Sequence, residues 1–467
     1  MAFSSVEYLA FLALTAIVYW CAPTRVRPVV LLVASYAFYA SRDWRLAPIL
    51  AACTVGSWLL ARAMHAVDGS RRRALLIFTV GCSIAVVAGI RLWARGVGVD
   101  GGATLGIGVD GTGPAIDAIV PVGLAFTTFQ IVSYVVDVYR RELEPQRSLV
   151  LYATYVAFFP HLLAGPVVRA RRLVPQLLAS PRRPDRRQLG EGLDLIFFGL
   201  FRKVAVADPL RHAAATTSGG SLMTLLQFVT TVLALYFDVA GYIDIARGSA
   251  KLLGIELPVN FAQPLTRSRN WTEFWRRWQI TVMAWFRDYV YRPVRGRRHT
   301  GRRDVLGITA TFLAAALWHG LSLGWVIWGM LTAAIMVIEQ QVRRRRRGRP
   351  AAATWRTAAR RVLDPLYLLG CLLITLPWTA GSLDETFDFY RSLFAGGAPT
   401  VDADLVVFAA WGLLVLVLGD RYDRVRNLAE GQADPVTVRR SFAYAGMALA
   451  LLVFSGFAAQ EFIYVQV

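Results

Sequence analysis

Five histidines, His65, His161, His212, His299 and His319, are the side chains here that titrate near neutrality and so could carry a proton during a reaction. His65, His212 and His299 fall near helix ends or in loops, and His161 sits deeper, in FFPHLLAGP. His319 stands in LWHGLSLGWVIWG, Leu317 to Gly329, within a run of about 35 mostly apolar residues from Asp304 to Glu339. An ionisable group in such surroundings is costly and commonly faces a cavity or the protein interior, so position alone makes His319 a functional candidate. One deep histidine suits the removal of a proton from a hydroxyl. A structural histidine packed in a helix bundle is the competing reading. The histidines and scattered acids show no metal-ligand spacing, so no catalytic metal is expected. The four cysteines, Cys21, Cys53, Cys82 and Cys371, stand singly in or beside apolar runs and read as small buried hydrophobes.

The elements that must position His319 lie on either side of it. From Asp304 to Glu339 a single straight helix would run roughly 50 Å against a hydrocarbon core of about 30 Å. Basic clusters flank both ends, Arg297 to Arg303 and Arg343 to Arg347. Two helices that enter and leave on one side, broken near Gly320 to Gly324, satisfy both facts. Just before them, Asn270 to Arg298 reads as a helix with a capping box from Asn270 and Glu273. Trp271, Phe274, Trp275, Trp278, Val282, Trp285, Phe286 and Tyr289 give it one broad aromatic face, with Arg276, Arg277, Arg287 and Asp288 largely elsewhere. That pattern predicts a helix lying at a membrane interface. Gln279 flanks the aromatic face, where a buried amide needs partners.

WTEFWRRWQITVMAWFRDYVY followed by LWHG resembles the membrane-bound O-acyltransferase family, most closely its bacterial polysaccharide branch. PVGLAFTTFQIVSYVVDVYR, FFPHLLAGPVVR and the block from Tyr236 to Leu265 resemble that branch in the same order, so the similarity spans Pro121 to Gly329. The resemblance implies an all-α, polytopic transmembrane helical bundle with re-entrant and interfacial helices around a central tunnel. It implies that His319 is the catalytic base and that an acyl group, acetyl in the resembling systems, moves from acyl-CoA or an acyl-carrier protein on the cytoplasmic side. The acceptor would be a hydroxyl of an exported glycan or of an extracellular relay partner; no cofactor would be bound. The branch normally has a histidine where this chain has Gln279, and other branches an asparagine. Glutamine cannot act as a general base, yet its amide can orient a substrate or face an oxyanion. Gln279 is therefore assigned an orienting or oxyanion role, an altered substrate or a lost activity being the alternative reading of the change. Arg276, Arg277, Arg287 and Asp288, with Trp278 and Trp318, are candidates for donor binding, the arginines through its phosphates; snorkelling to lipid headgroups is their other reading. Asp238, Tyr242, Asp244, Asn260 and Trp275, with Tyr236, either line the tunnel or pin neighbouring helices. Two alternatives stand beside glycan acylation: acylation of a small molecule or lipid, and a non-catalytic acyl conduit.

Composition agrees with a membrane protein. The chain of 467 residues is 56% hydrophobic with a net charge of +20, and its mean hydropathy is +0.46. The arginines fall between apolar runs, as in cytoplasmic loops, so membrane lipid rather than nucleic acid is their expected neighbour. Expected spans are Tyr8 to Cys21 with the N-terminus outside, Val29 to Ala40, Leu46 to His65, Ala74 to Trp93, Ala118 to Val138, Leu189 to Ala207, Leu222 to Val239, Val362 to Ala380, Leu405 to Leu418 and Phe442 to Ala459. Leu149 to Ala164 lies between two basic loops and is read as re-entrant or as lying along the inner interface, with Pro160, Gly165 and Pro166 breaking it. A glycine-rich loop with Asp100, Asp110 and Asp117 is read as external. One membrane domain results, with N-terminal helices at 1–117, a core at 118–339 and C-terminal helices at 340–467, multi-pass in the plasma or inner membrane. Solute transport is disfavoured because neither internal repeats nor paired intramembrane charges are evident in the sequence.

Overall fold

The computed structural model describes residues 1–41, 43–96, 122–179, 183–216, 220–262, 265, 268–297, 300–345, 354–379, 382–396, 402–428 and 438–454. The glycine-rich loop with its three aspartates, and His299, lie outside these residues. Among the described residues every regular element is a helix. The first four are α1 (Val6–Cys21), α2 (Arg27–Ala40), α3 (Leu46–His65) and α4 (Gly69–Gly96). They are followed by α5 (Val122–Tyr139), α6 (Leu149–Ala157), α7 (Phe159–Leu162), α8 (Ala170–Leu178), α9 (Arg186–Leu200), α10 (Asp208–Thr216) and α11 (Ser221–Leu252). The site region contributes α12 (Trp271–Arg277), α13 (Ile280–Phe286), α14 (Arg292–Arg295), α15 (Gly301–His319) and α16 (Leu323–Arg345). The C-terminal part adds α17 (Thr354–Thr375), α18 (Leu383–Phe394), α19 (Ala403–Leu428) and α20 (Val438–Phe454).

Among the described residues five stretches, Leu46–His65, Gly69–Ile90, Ser221–Leu252, Leu323–Arg345 and Val362–Thr379, are long and apolar enough to cross a membrane. Shorter apolar helices at Val6–Cys21, Arg27–Ala40, Ala403–Gly419 and Phe442–Phe454 accompany them. Cys371 is buried, but Cys53 is only half-buried, and Cys21 and Cys82 lie on the outer surface of the bundle. The reading of all four as buried hydrophobes is corrected for those two, because an apolar run that faces lipid exposes its small residues as readily as its large ones.

α11 is the central post. Gly192 and Gly199 of α9 face Gly248 and Gly241 of α11, and a Cβ at any of the four would meet an atom of the other helix at 2.5 to 2.9 Å. Such close approach lets ion pairs bridge the helices. Lys203, in a π-helical turn at Phe201–Ala207, reaches Asp238 at 2.7 Å and Asp208 at 2.8 Å, all three fully buried. Arg202 bonds Asp244, six residues further along α11. Charges this deep persist only when paired.

α6 breaks at Phe158, where the amide of Phe159 donates to Ser35 Oγ at 3.0 Å. Gly165 then folds so tightly onto α7 that a Cβ there would lie 2.4 Å from His161 Cα. The predicted broken helix is therefore present. α15 and α16 form a hairpin with its break at Gly320 to Ser322, inside the interval expected. Its open end is closed by Asp304, which bonds Arg344.

The continuous interfacial helix over Asn270 to Arg298 is corrected. α12 ends at Arg277, the chain turns at Gln279, and α13 starts anew. Asn270 caps α12 by accepting from the Glu273 amide at 2.9 Å, but Glu273 returns to the amide of Arg269 rather than of Asn270. The aromatic face is not open to its surroundings either: Trp271, Phe274, Trp278, Trp285 and Phe286 are buried in the bundle. The break rotates α13 against α12, so rings that share one face of an ideal helix instead wrap a cavity.

Candidate active site

The cavity has a volume of about 240 Å³. α12 and α13 form one wall with Trp275, Trp278, Gln279 and Val282, and α15 and α16 the facing one with Phe312, Trp318, His319 and Trp328. Leucines of α11 and α17 complete it. Thus the structure brings His319 and Gln279, which are 40 residues apart in sequence, to one apolar space.

Gln279 owes its position to the turn. Its φ of 46° and ψ of 51° are left-handed, a conformation that costs a residue with a Cβ roughly 1–2 kcal/mol. Asn260 compensates: its carbonyl accepts from the Ile280 amide at 2.9 Å. Its Oδ1 accepts from the Thr281 amide at 2.9 Å and from Thr281 Oγ1 at 2.8 Å. Because a backbone N–H can only donate, Oδ1 of Asn260 is identified, and its Nδ2 must donate to Gln279 Oε1, at 2.5 Å. That settles the amide orientation of Gln279 by connectivity. Its carbonyl oxygen is engaged, and its NH₂ is the end that can act on a ligand.

His319 is the last residue of α15 and half-buried. Its ring stacks on Trp325 at 4.5 Å with planes 6° apart, and meets Trp318 edge-on at 4.7 Å and Trp328 at 5.8 Å. An indole face stabilises the positive charge that an imidazole takes on with a proton. Gly320 permits this stack: a Cβ there would lie 2.6 Å from Trp325 Cδ1. Trp318 is held by its Nε1 donating to the Ala125 carbonyl at 3.3 Å.

Tyr236 also lines the cavity, whereas the remaining candidates fall into two groups away from it. Arg276 is exposed, and Arg277 pairs with Glu273 at 2.6 Å. Asp288 is buried within guanidinium groups: Arg287 and Arg292 each approach its carboxylate at 2.9 Å. Arg169 also bonds it, and Arg140 donates to its carbonyl at 3.2 Å. Burial pushes the Asp288 carboxyl up, but the Arg287 hydrogen bond and the Arg169, Arg287 and Arg292 charges outweigh it and hold it below the usual carboxylate value. Asp238 and Asp244 pin α11 to the α9 end, as described, and Tyr242 packs its ring on Phe3 at 4.4 Å. His161 is buried beside Gln130, whose Nε2 lies 3.4 Å from its Nδ1.

Glu339 was not anticipated. Its carboxylate accepts from the amides of Trp271 at 2.6 Å and Thr272 at 3.0 Å and from Thr272 Oγ1 at 2.6 Å, clamping the start of α12 to α16. An acid so far along the chain carries no local signal for this. The box around His319 could have been read, since Trp325 and Trp328 are three residues apart and share a helix face.

An all-α bundle with membrane-length helices, and with a histidine and a carboxamide on the wall of one apolar cavity, defines a class: polytopic membrane proteins with an internal apolar site. Comparison with known proteins narrows it. Residues 135–363 match the model of the membrane-bound O-acyltransferase family. The chain is 32% identical over 455 residues to the "Probable alginate O-acetylase AlgI" of Azotobacter vinelandii, covering 94% of this chain and 87% of the relative. It is 31% identical to the peptidoglycan O-acetyltransferase of Helicobacter pylori over 46% of each chain. It is 28% identical to the teichoic acid D-alanyltransferase of Bacillus subtilis over 46% of this chain and 57% of that one. The chain belongs to the membrane-bound O-acyltransferase family: it is a multi-pass membrane acyltransferase.

Proposed function

We propose that this enzyme, in the plasma or inner membrane, takes an acyl group from a cytoplasmic thioester, acyl-CoA or an acyl-carrier protein, and passes it to a hydroxyl of an exported glycan or of a relay partner. The observation that carries this reading is the convergence of His319 and the Gln279 NH₂ on one apolar cavity. His319 removes the proton of the acceptor hydroxyl as its oxygen attacks the thioester carbonyl. The Gln279 NH₂ donates to the carbonyl oxygen as charge develops there. The C–S bond then breaks, the new C–O bond remains, and the proton on His319 passes to the departing sulfur. Trp278 and Trp318 shape the passage for the donor. Arg287 and Arg292, 55% and 64% exposed while bonded to Asp288, meet the donor's phosphates together with the exposed Arg276. The names of the relatives, which refer to alginate, peptidoglycan and teichoic acid, support a polymer of the cell envelope as the acceptor. Fixation of Gln279 as a donor favours an active enzyme over a conduit.

The test is transfer of label from acyl-CoA to envelope extracts by purified protein in nanodiscs. Wild type should transfer label, and His319→Ala should lose about 10²- to 10⁴-fold in kcat while inserting normally. A wild type without turnover that gains it in Gln279→His would replace this reading with the conduit.

A further inference from the structure

Glu339 lies near the basic end of the apolar helix α16, between Ile338 and Gln340, and the proposed chemistry leaves it unused. Each of its carboxylate oxygens takes two donors from outside α16. Oε1 accepts from the Trp271 amide at 2.6 Å and from the Tyr367 hydroxyl of α17 at 2.9 Å. Oε2 accepts from the Thr272 amide at 3.0 Å and from Thr272 Oγ1 at 2.6 Å. One turn further along α16, Arg343 donates to the same Thr272 Oγ1 at 2.9 Å. Hydrogen bonds to an ionised acceptor are the strong ones, so the start of α12 is gripped firmly.

What stands at each end of this grip connects it to the reaction. α12 ends at Arg277, two residues before Gln279, and α16 is the second arm of the hairpin whose first arm ends on His319. The bonds from Asn260 shape the turn at Gln279, but they join it to the segment before α12 and not to that hairpin. The Glu339 bonds are made to the hairpin itself. Beyond them α12 continues as a single short helix of seven residues. Its length is about 10 Å, so a tilt of roughly 6° at the grip would shift its far end by about 1 Å, and such a misplacement costs on the order of 10²-fold in rate.

We propose that Glu339 is a positioning residue for acyl transfer: by tying α12 to the hairpin, it sets where the Gln279 NH₂ stands relative to His319. This rests on the acyltransferase reading. The role needs a carboxylate, since a carboxamide would turn its NH₂ toward the two donors of one oxygen and leave them unpaired. Tyr367 extends the tie to α17, the helix that completes the cavity with Leu368 and Leu372.

The experiment uses the full-length protein in nanodiscs with labelled acetyl-CoA and envelope extract, and compares wild type, Glu339→Gln, Gln279→Ala and the double variant. Glu339→Gln should lower kcat about 10- to 100-fold and change KM by less than about two-fold. Gln279→Ala should lower kcat about 10²-fold. Adding Glu339→Gln to it should cost at most about three-fold more, because a residue that acts through Gln279 then has nothing left to position. A merely structural role would multiply the two losses in the double variant. That result, or wild-type kcat in Glu339→Gln, would overturn the proposal. Thr272→Val removes one hydroxyl of the grip and keeps the carboxylate, so it carries the same cycle if Glu339→Gln does not insert. It should lose roughly three- to ten-fold in kcat, and only where Gln279 is present. A second measurement needs no turnover. In a background lacking the four native cysteines, nitroxides at Arg276→Cys on α12 and Leu323→Cys at the start of α16, both exposed positions, report their separation by double electron–electron resonance. Glu339→Gln should broaden or displace that distance. An unchanged distance beside an active wild type would overturn this proposal alone. Absence of transfer by the wild type would instead remove the acyltransferase reading, and this proposal with it.

Discussion

Gln279 shows how a single residue can be positioned against its own backbone preference. The left-handed turn is maintained by the bonds from Asn260 and Thr281, and strain of this kind persists where the surroundings over-determine it. Gln279→Gly should relieve the strain and leave the melting temperature equal or higher, yet lower kcat about 10²-fold through loss of the carbonyl donor. Full turnover in that variant would show the amide to be dispensable. Asn260→Leu should lower kcat by roughly 10- to 100-fold with little change in KM, since it frees the Gln279 side chain without removing it. A pure KM effect would place Asn260 in substrate binding instead.

Between elements, contact distance decides what is tolerated. Gly241 of α11 lies where a Cβ would meet the Gly199 carbonyl oxygen at 2.7 Å, whereas Gly81 and Gly89 of α4 have nothing within 4 Å. Gly241→Ala should therefore destabilise by about 1–3 kcal/mol as overpacking, and Gly89→Ala should be neutral or slightly stabilising. Thermal unfolding in detergent compares the two directly. Asp288 joins α5, the start of α8 and the turn after α13 through four arginines. Because its folded pKa lies below the unfolded value, its stabilisation is complete above the ordinary carboxylate range and is lost as pH falls through the depressed value. Its contribution should therefore stay constant from neutral pH down to about pH 4. Asp288→Asn should remove the part of the acid limb that appears below that. An equal acid limb in the variant would assign acid lability to other groups.

For the whole molecule, the α15–α16 hairpin sets the geometry of access. The bond from Arg344 to Asp304 brings the two basic ends together, so both must face one side of the membrane. In a background lacking the four native cysteines, Arg302→Cys and Arg345→Cys should react with an impermeant maleimide from the same side, the cytoplasmic one. Labelling from opposite sides would contradict the hairpin.

Much of this architecture is local in origin and so was legible in the sequence. Apolar runs bounded by arginines specify membrane helices, because hydrophobicity and charge act through composition. The break at Gly320 to Ser322 was visible because a helix of roughly 50 Å exceeds a bilayer. His319 stood out because an ionisable group in an apolar run is costly wherever it lies. The turn at Gln279 was not legible, since WRRWQITV has good helical spacing and lacks glycine or proline there. The bonds that break it come from Asn260, and those that hold α12 come from Glu339, 67 and 68 residues beyond its partners. Helical periodicity records only neighbours within a turn or two, so the choice between an interfacial aromatic face and a closed cavity was made by packing across the fold.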